Sequence, residues 1–232
     1  MSTVAAPPSS VEPPRAPPRN RAIPPLVDGQ RLSGVEFMRR YENMPEIKKA
    51  ELVEGLVHIM ASPVRYDVHG NPHSLMQTCV GFYAVMMGLG HADNTTIYLS
   101  ESDIYQPDGA LFKHRRDGGD VLMNEKGYLE GAPELIVEVC ASTTPADLGK
   151  KKDIYLRSGV AEYIAWCTEE IAFNWWMIEN GVYVPLPADA DGIRRSRIFP
   201  GFWLHEKALL AGDGMRVLAV LQEGIKSVSR SA

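Results

Sequence analysis

The chain has 232 residues, 45% of them hydrophobic and 23% charged, the balance of a soluble globular protein with room for one ample core. No uninterrupted apolar run approaches the roughly 18 residues that span a bilayer, and the N-terminus lacks the apolar segment of a signal peptide, so the expected location is the cytoplasm, with no membrane partner. A formal net charge of −5 excludes a basic coat for non-specific nucleic-acid binding, though not a local groove.

Three cysteines, Cys79, Cys140 and Cys167, are odd in number and show no CxxC spacing. They fit a reducing compartment and suggest no zinc. Paired prolines and little to bury make residues 1–30 a disordered Pro-rich tail. Order is expected from Leu32. Ser33 with Glu36 reads as a capping box, and Leu32 with Phe37 as a hydrophobic staple, for a short helix from about Gly34 to Glu42. Ala50 to Val53 and Leu56 to Met60 read as two strands turned at Glu54-Gly55. Glu51, beside apolar Leu52 and Val53, is the acid least suited to a surface role.

Residues 63–72 read as loop, and His73 opens a core helix whose Leu75, Met76, Cys79, Val80, Tyr83, Met86 and Met87 recur at helical spacing. His69 and His73 have the spacing of a metal pair, but Gly70 and Pro72 are expected to break any helix that would align them. Beside an acidic site, His73 would serve as a supporting donor. Thr95 to Leu99 is expected as a strand, and Tyr105 to Phe112 as a second. Pro107 opens the latter, so Asp108 lies either where that strand begins or in a Pro-Asp-Gly turn.

Leu135, Ile136, Val137 and Val139 read as an interior strand with Glu138 in its middle. A buried carboxylate costs several kcal/mol unless a cation, a metal or donors receive it, so either a salt bridge or an active site is implied. Thr144, Pro145 and Asp147 signal a helix start, and Ser158-Gly159 its end. On that helix Leu148, Lys151, Lys152 and Tyr155 share a face, from which a lysine either snorkels to solvent or reaches back to Glu138. Tyr163 to Trp166 is a further strand. Phe173 to Ile178 and Val182 to Leu186 form a hairpin about Asn180-Gly181, with Trp175 and Trp176 as sheet packing. A loop over 187–192, a strand from Ile198 to Leu204 and a helix from about Met215 to Gln222 close the fold, leaving 31–224 as one domain and 225–232 as a tail. The basic clusters at Lys113 to Arg116, Lys150 to Lys152, and Arg194, Arg195 and Arg197 each read singly as solvated surface.

Taken together, QPDGALF, the PELIVEVCAS strand, DLGKK and GVAEYIAW resemble the Uma-two family of the PD-(D/E)XK restriction-endonuclease-like superfamily. The similarity continues through RLSGVEFMRRYENMP, KKAELVEG, HGNPHSL, GYLEGAPEL, NGVYVPLPADADG and RSRIFPGFWL, from about Arg31 to Gly212. It implies an α/β fold of the α+β mixed-sheet kind: a restriction-endonuclease-like core with a central mixed β-sheet flanked by helices, plus a C-terminal β-hairpin. By resemblance Asp108 is the acid of the PD element and Glu138 that of the (D/E)XK strand, together holding Mg²⁺, with Mn²⁺ as a substitute. Cys140 stands where the usual lysine would, and the resemblance places that lysine on the following helix at Lys151, with Lys152 as fallback and Glu51 and His73 in support. The implied activity is metal-dependent hydrolysis of phosphodiester bonds in DNA. The alternative is a non-catalytic nucleic-acid- or protein-binding module that keeps the fold, and a weaker one is hydrolysis of another phosphate ester. Cutting two strands with one site per chain makes a homodimer an expectation.

Overall fold

Apolar, β-branched side chains fit a pleated surface covered on both faces. In the computed structural model, which describes residues 23–60, 63–141 and 146–229, the run around Glu138 is accordingly a six-residue strand, Leu135–Cys140, buried along its whole length. In chain order the elements before it are α1 (Gly34–Tyr41), β1 (Ala50–Val53), β2 (Leu56–Ile59), α2 (Asn71–Met87), β3 (Gly90–Asp93), β4 (Ile97–Tyr98), β5 (Ile104–Tyr105), β6 (Gly109–Phe112), β7 (Leu122–Met123) and β8 (Leu129–Glu130). The interior strand is β9, followed by α3 (Lys152–Ser158), β10 (Glu162–Cys167), β11 (Ala172–Glu179), β12 (Val182–Pro185), β13 (Ile193–Arg195), β14 (Trp203–His205), α4 (Glu206–Leu210) and α5 (Gly214–Ser229).

The main sheet is mixed, in the order β12-β11-β10-β9-β6-β3. Only β9 and β10 run parallel in it, joined by the segment that carries α3, while its other neighbours are antiparallel. Period-two alternation divides β9 between two cores. Leu135, Val137 and Val139 face the larger one, with Met76 and Tyr83 of α2, Trp175, and Val217 and Leu221 of α5. Ile136 faces the other, with Ile154 and Tyr155 of α3, Tyr163 and Tyr105. Glu138 has the parity of Ile136 and so looks toward α3. A second sheet, β2-β1-β5-β4-β8-β7, stands beside that face, and β13 and β14 form a small separate hairpin.

Several expectations hold in detail. The β1–β2 turn takes positive φ at Glu54 (50°) and Gly55 (77°), and the β11–β12 turn does so at Asn180 (51°) and Gly181 (81°). Ser33 Oγ accepts the Glu36 amide at 3.3 Å, but the Glu36 carboxylate turns to Arg39 and Arg40 and does not complete the box. Those two guanidinium groups hold its carboxyl down to about 2.

Others are corrected. The single strand expected over Tyr105 to Phe112 is two, β5 and β6, in different sheets, because Pro107 has no amide to donate and the chain changes sheet there. The strand expected over Thr95 to Leu99 shortens to two residues, and β3 forms ahead of it against β6. The Ile198 to Leu204 strand is interrupted by Pro200 and by Gly201 at φ 86°, leaving only Trp203–His205 extended. Gly70 and Pro72 do not break the chain into loop. A π-helical turn, Tyr66–Gly70, runs straight into α2, whose first turn holds Pro72, where a missing amide is harmless. Residues 23–30 also pack: Leu26 is buried, and the Gly29 amide donates to Val57 O at 2.8 Å. The closing helix continues to Ser229. Residues 1–22 of the expected tail, and Thr144, Pro145 and the Asp147 side chain of the expected cap, lie outside the described residues.

Candidate active site

The pairing of β6 with β9 brings the two principal acids together. Its register sets Gly109 against Val137, Ala110 against Ile136 and Leu111 against Leu135. One step further sets Asp108 against Glu138 on one face, where cross-strand Cβ atoms stand about 4.5 to 5.5 Å apart. Both are buried, at 3% and 4% exposure; Asp108 sits in a bend immediately before β6 and does not project into solvent. Asp108 Oδ2 accepts the Val139 amide at 2.8 Å, and Gln77 of α2 donates to the Asp108 carbonyl.

The second sheet adds Glu51. Because β5 pairs with β1 and leads directly through Pro107 into β6, it carries Glu51 to the same cavity, where it is wholly buried. The Gln106 amide donates to its Oε1 at 3.2 Å. From α3's side, the Lys151 ammonium stands 3.1 Å from Glu138 Oε1 and 3.1 Å from Glu51 Oε2. The Tyr155 hydroxyl donates to Glu138 Oε1 at 2.7 Å, and burial, with Glu138 beside it, keeps that phenol protonated well beyond its ordinary range. A second ammonium, from Lys49, sits 3.1 Å from Asp108 Oδ1. Asp108, Glu138, Glu51, Lys151 and Lys49 line one cleft of about 430 Å³.

Burial alone would raise the Glu138 pKa, but the Lys151 and Lys49 ammonium groups outweigh it and hold the carboxyl below its usual value. Lys49 is pushed the other way: burial lowers it, and Glu138, Asp108 and Glu51 more than restore it, so it stays charged. Three carboxylates thus face two ammonium groups, one negative charge in excess. The donor set is all oxygen, and Glu51 Oε2 is fully buried yet, among the described residues, accepts no well-directed hydrogen bond even with Lys151 at 3.1 Å. Oxygen donors of this kind suit a hard divalent cation, but one oxygen from each of Asp108, Glu138 and Glu51 does not come within 4.8 Å of the other two, so the three would have to draw together around an ion.

A depressed folded-state pKa contributes stability above the unfolded value that is lost as pH falls through the folded one. Lys151→Met should therefore lower the melting temperature most near neutral pH, and the gap from wild type should close as pH falls below the usual carboxylate value of 4.5. Melting curves across that range check it, and a gap independent of pH would contradict the coupling.

Of the remaining residues expected in the site, His73 is present at the edge, its Nδ1 4.0 Å from Asp108 Oδ1. Lys152 is not: its ammonium lies over the Trp176 ring, 4.1 Å from the centroid, and burial lowers its pKa. Sequence reasoning missed Lys49 and Gln77, and it set His69 aside on the expectation that Gly70 and Pro72 would break the helix. Lys49 was within reach of it, since two-residue alternation puts Lys49 and Glu51 on one face.

A further buried acid shows what a purely structural carboxylate looks like in this fold. Glu162 of β10, 0% exposed, accepts the Trp175 indole, the Ser196 hydroxyl and the amides of Arg197 and Ile198, and among the described residues it forms no ion pair with a lysine. Burial raises its pKa despite those donors.

A family model described as Uma2, putative restriction endonuclease, matches residues 35–208. The crystal structure of a putative nuclease belonging to DUF820 from Anabaena variabilis aligns with a TM-score of 0.54 at 16% identity, covering 75% of this chain and 97% of that one. At that identity the likeness speaks for a shared fold. No curated protein matches the chain.

Proposed function

The chain belongs to the Uma2 putative restriction endonuclease family, and from that premise we propose that it is a Mg²⁺-dependent endonuclease that hydrolyses phosphodiester bonds in DNA. The observation that carries the reading is the set of buried carboxylates Asp108, Glu138 and Glu51 in one cleft with the Lys151 ammonium 3.1 Å from two of them. Asp108 and Glu138 would hold the cation, with Glu51 beside them and Mn²⁺ as a substitute. When bound, it supplies positive charge to a phosphate oxygen and acidifies water at neutral pH.

The chain's own groups do the rest. The Val139 amide fixes the Asp108 carboxylate and the Tyr155 hydroxyl fixes that of Glu138, so neither must reorganise as charge develops. Lys151 keeps Glu138 ionised, orients the attacking water and offsets negative charge building on the pentacoordinate phosphorus. Lys49 and Lys150 add basic groups to the cleft of an otherwise acidic protein, which favours a phosphate backbone there.

The test is incubation of the full chain with supercoiled plasmid, single-stranded DNA and RNA of matching sequence, in Mg²⁺ and in EDTA. Nicked or linear plasmid in Mg²⁺, none in EDTA and intact RNA are expected. DNA left whole in both Mg²⁺ and Mn²⁺ would overturn the reading.

A further inference from the structure

We propose that His69, His73 and Asp108 form a second cation site, selective for a borderline transition metal such as Zn²⁺ or Co²⁺ over Mg²⁺. It shares Asp108 with the site proposed above, but metal binding there does not depend on nuclease activity.

The helical path makes the site. The amides of His69 and Gly70 both donate to the Arg65 carbonyl, at 3.2 and 3.0 Å, and Gly70 keeps right-handed helical angles (φ −58°, ψ −49°) into α2. The two imidazoles therefore fall on one face, with ring centroids 5.3 Å apart. His69 Nε2 is 3.9 Å and His73 Nδ1 4.0 Å from Asp108 Oδ1, and one ligand atom from each of the three residues lies within 4.8 Å of the other two. Ligands at about 2.0 to 2.1 Å from one ion are roughly 3 to 4 Å apart, so the two histidine–Asp108 distances, 3.9 and 4.0 Å, need contract by no more than about an ångström.

The hydrogen bonds on the far side of each ring settle which nitrogens are available. His69 Nδ1 lies 2.8 Å from the Val139 carbonyl, which only accepts, so that nitrogen carries the proton and the neutral ring offers an Nε2 lone pair to Asp108. His73 Nε2 lies 3.0 Å from Asp93 Oδ1, and by the same reasoning the lone pair of the neutral ring is on Nδ1. That Nδ1 is buried and has no hydrogen-bond partner among the described residues, so a lone pair aimed at Asp108 is left unsatisfied. Imidazoles that ligate metals donate their other N–H to a carbonyl or carboxylate, and both rings do so here. Two imidazoles and one carboxylate suit a borderline transition metal, whereas Mg²⁺ prefers oxygen alone. The Lys49 ammonium, 3.1 Å from Asp108 Oδ1, supplies the positive charge when no metal is bound and competes with it.

Titration of the full-length protein with Co²⁺, read by visible absorption and repeated with Zn²⁺ by calorimetry, tests the assignment without nucleic acid. One equivalent should bind with the bands of a nitrogen-ligated ion. His69→Gln and His73→Gln should each weaken binding at least about tenfold, and Lys49→Met should tighten it. Glu138→Gln, which disables the all-carboxylate site, should keep the bands. Absence of binding to wild type, affinity unmoved by both histidine changes, or bands lost only with Glu138→Gln would overturn the assignment. If one histidine variant fails to fold, as judged by circular dichroism, the other decides. A protein that binds Co²⁺ through the histidines but cuts no DNA refutes the nuclease reading alone. One that cuts in Mg²⁺ but ignores Co²⁺ refutes this site alone.

Discussion

Lys151→Ala should slow Mg²⁺-dependent DNA cleavage by about 10² to 10⁴-fold, the range for removing a positioned acid–base group or a preorganised charge from a buried site. Its ammonium is 3.1 Å from both Glu138 and Glu51 and only 11% exposed. Removing it leaves three buried carboxylates with Lys49 as the ammonium opposite them, so water orientation and charge compensation fail together. Single-turnover cleavage of plasmid, with enzyme in excess, isolates the chemical step from binding and release. Lys152→Ala is the matching control, because that side chain lies on Trp176 and not in the cleft. It should cut within a few-fold of wild type, and equal losses in both variants would move the role away from Lys151.

The second large effect concerns stability. Glu162→Ala should destabilise the fold by about 3 kcal/mol or more, since each buried donor left unmatched costs roughly 1 to 3 kcal/mol. Four donors converge on this carboxylate: the Trp175 indole, the Ser196 hydroxyl and two successive amides, Arg197 and Ile198. They pin the 196–199 turn to β10 and hence the β13–β14 hairpin to the larger core, where Phe199 and Phe202 pack on Tyr83. For a domain of this size the loss corresponds to roughly 6 to 12 °C in melting temperature. Glu162→Gln keeps one acceptor oxygen and should lose less. Thermal and urea unfolding measure both, and an alanine variant as stable as wild type would contradict the assignment of Glu162 to structure.

Local rules carried much of this fold. A Glu-Gly and an Asn-Gly turn, an N-capping serine and an apolar run rich in β-branched residues each depend on neighbours in sequence, so they were legible without tertiary knowledge. The same logic placed Glu138 and α3 on one sheet face. Legibility ended where partners came from afar. Pro107 marked a strand start, but only the pairing of β5 with β1 and β6 with β9 shows that the chain changes sheets there and brings Glu51 to Asp108. Lys151 and Lys152 were indistinguishable by spacing, and the Trp176 ring across the sheet claims the second. Gly70 and Pro72 read as helix breakers by propensity. A wider π turn absorbs Gly70, the first turn of α2 takes Pro72, and the continuous path aligns His69 with His73, with His69 held against the Val139 carbonyl of β9, which propensity does not encode.

The most direct measurement is single-turnover cleavage of supercoiled plasmid in Mg²⁺ by wild type and by Asp108→Asn, a change that keeps the shape and removes the charge. Wild type should convert the plasmid to nicked and linear forms, with the variant slower by at least about 10²-fold. Equal rates in the two proteins, or intact plasmid with wild type at every Mg²⁺ and Mn²⁺ concentration, would contradict a catalytic cation held by Asp108 and Glu138.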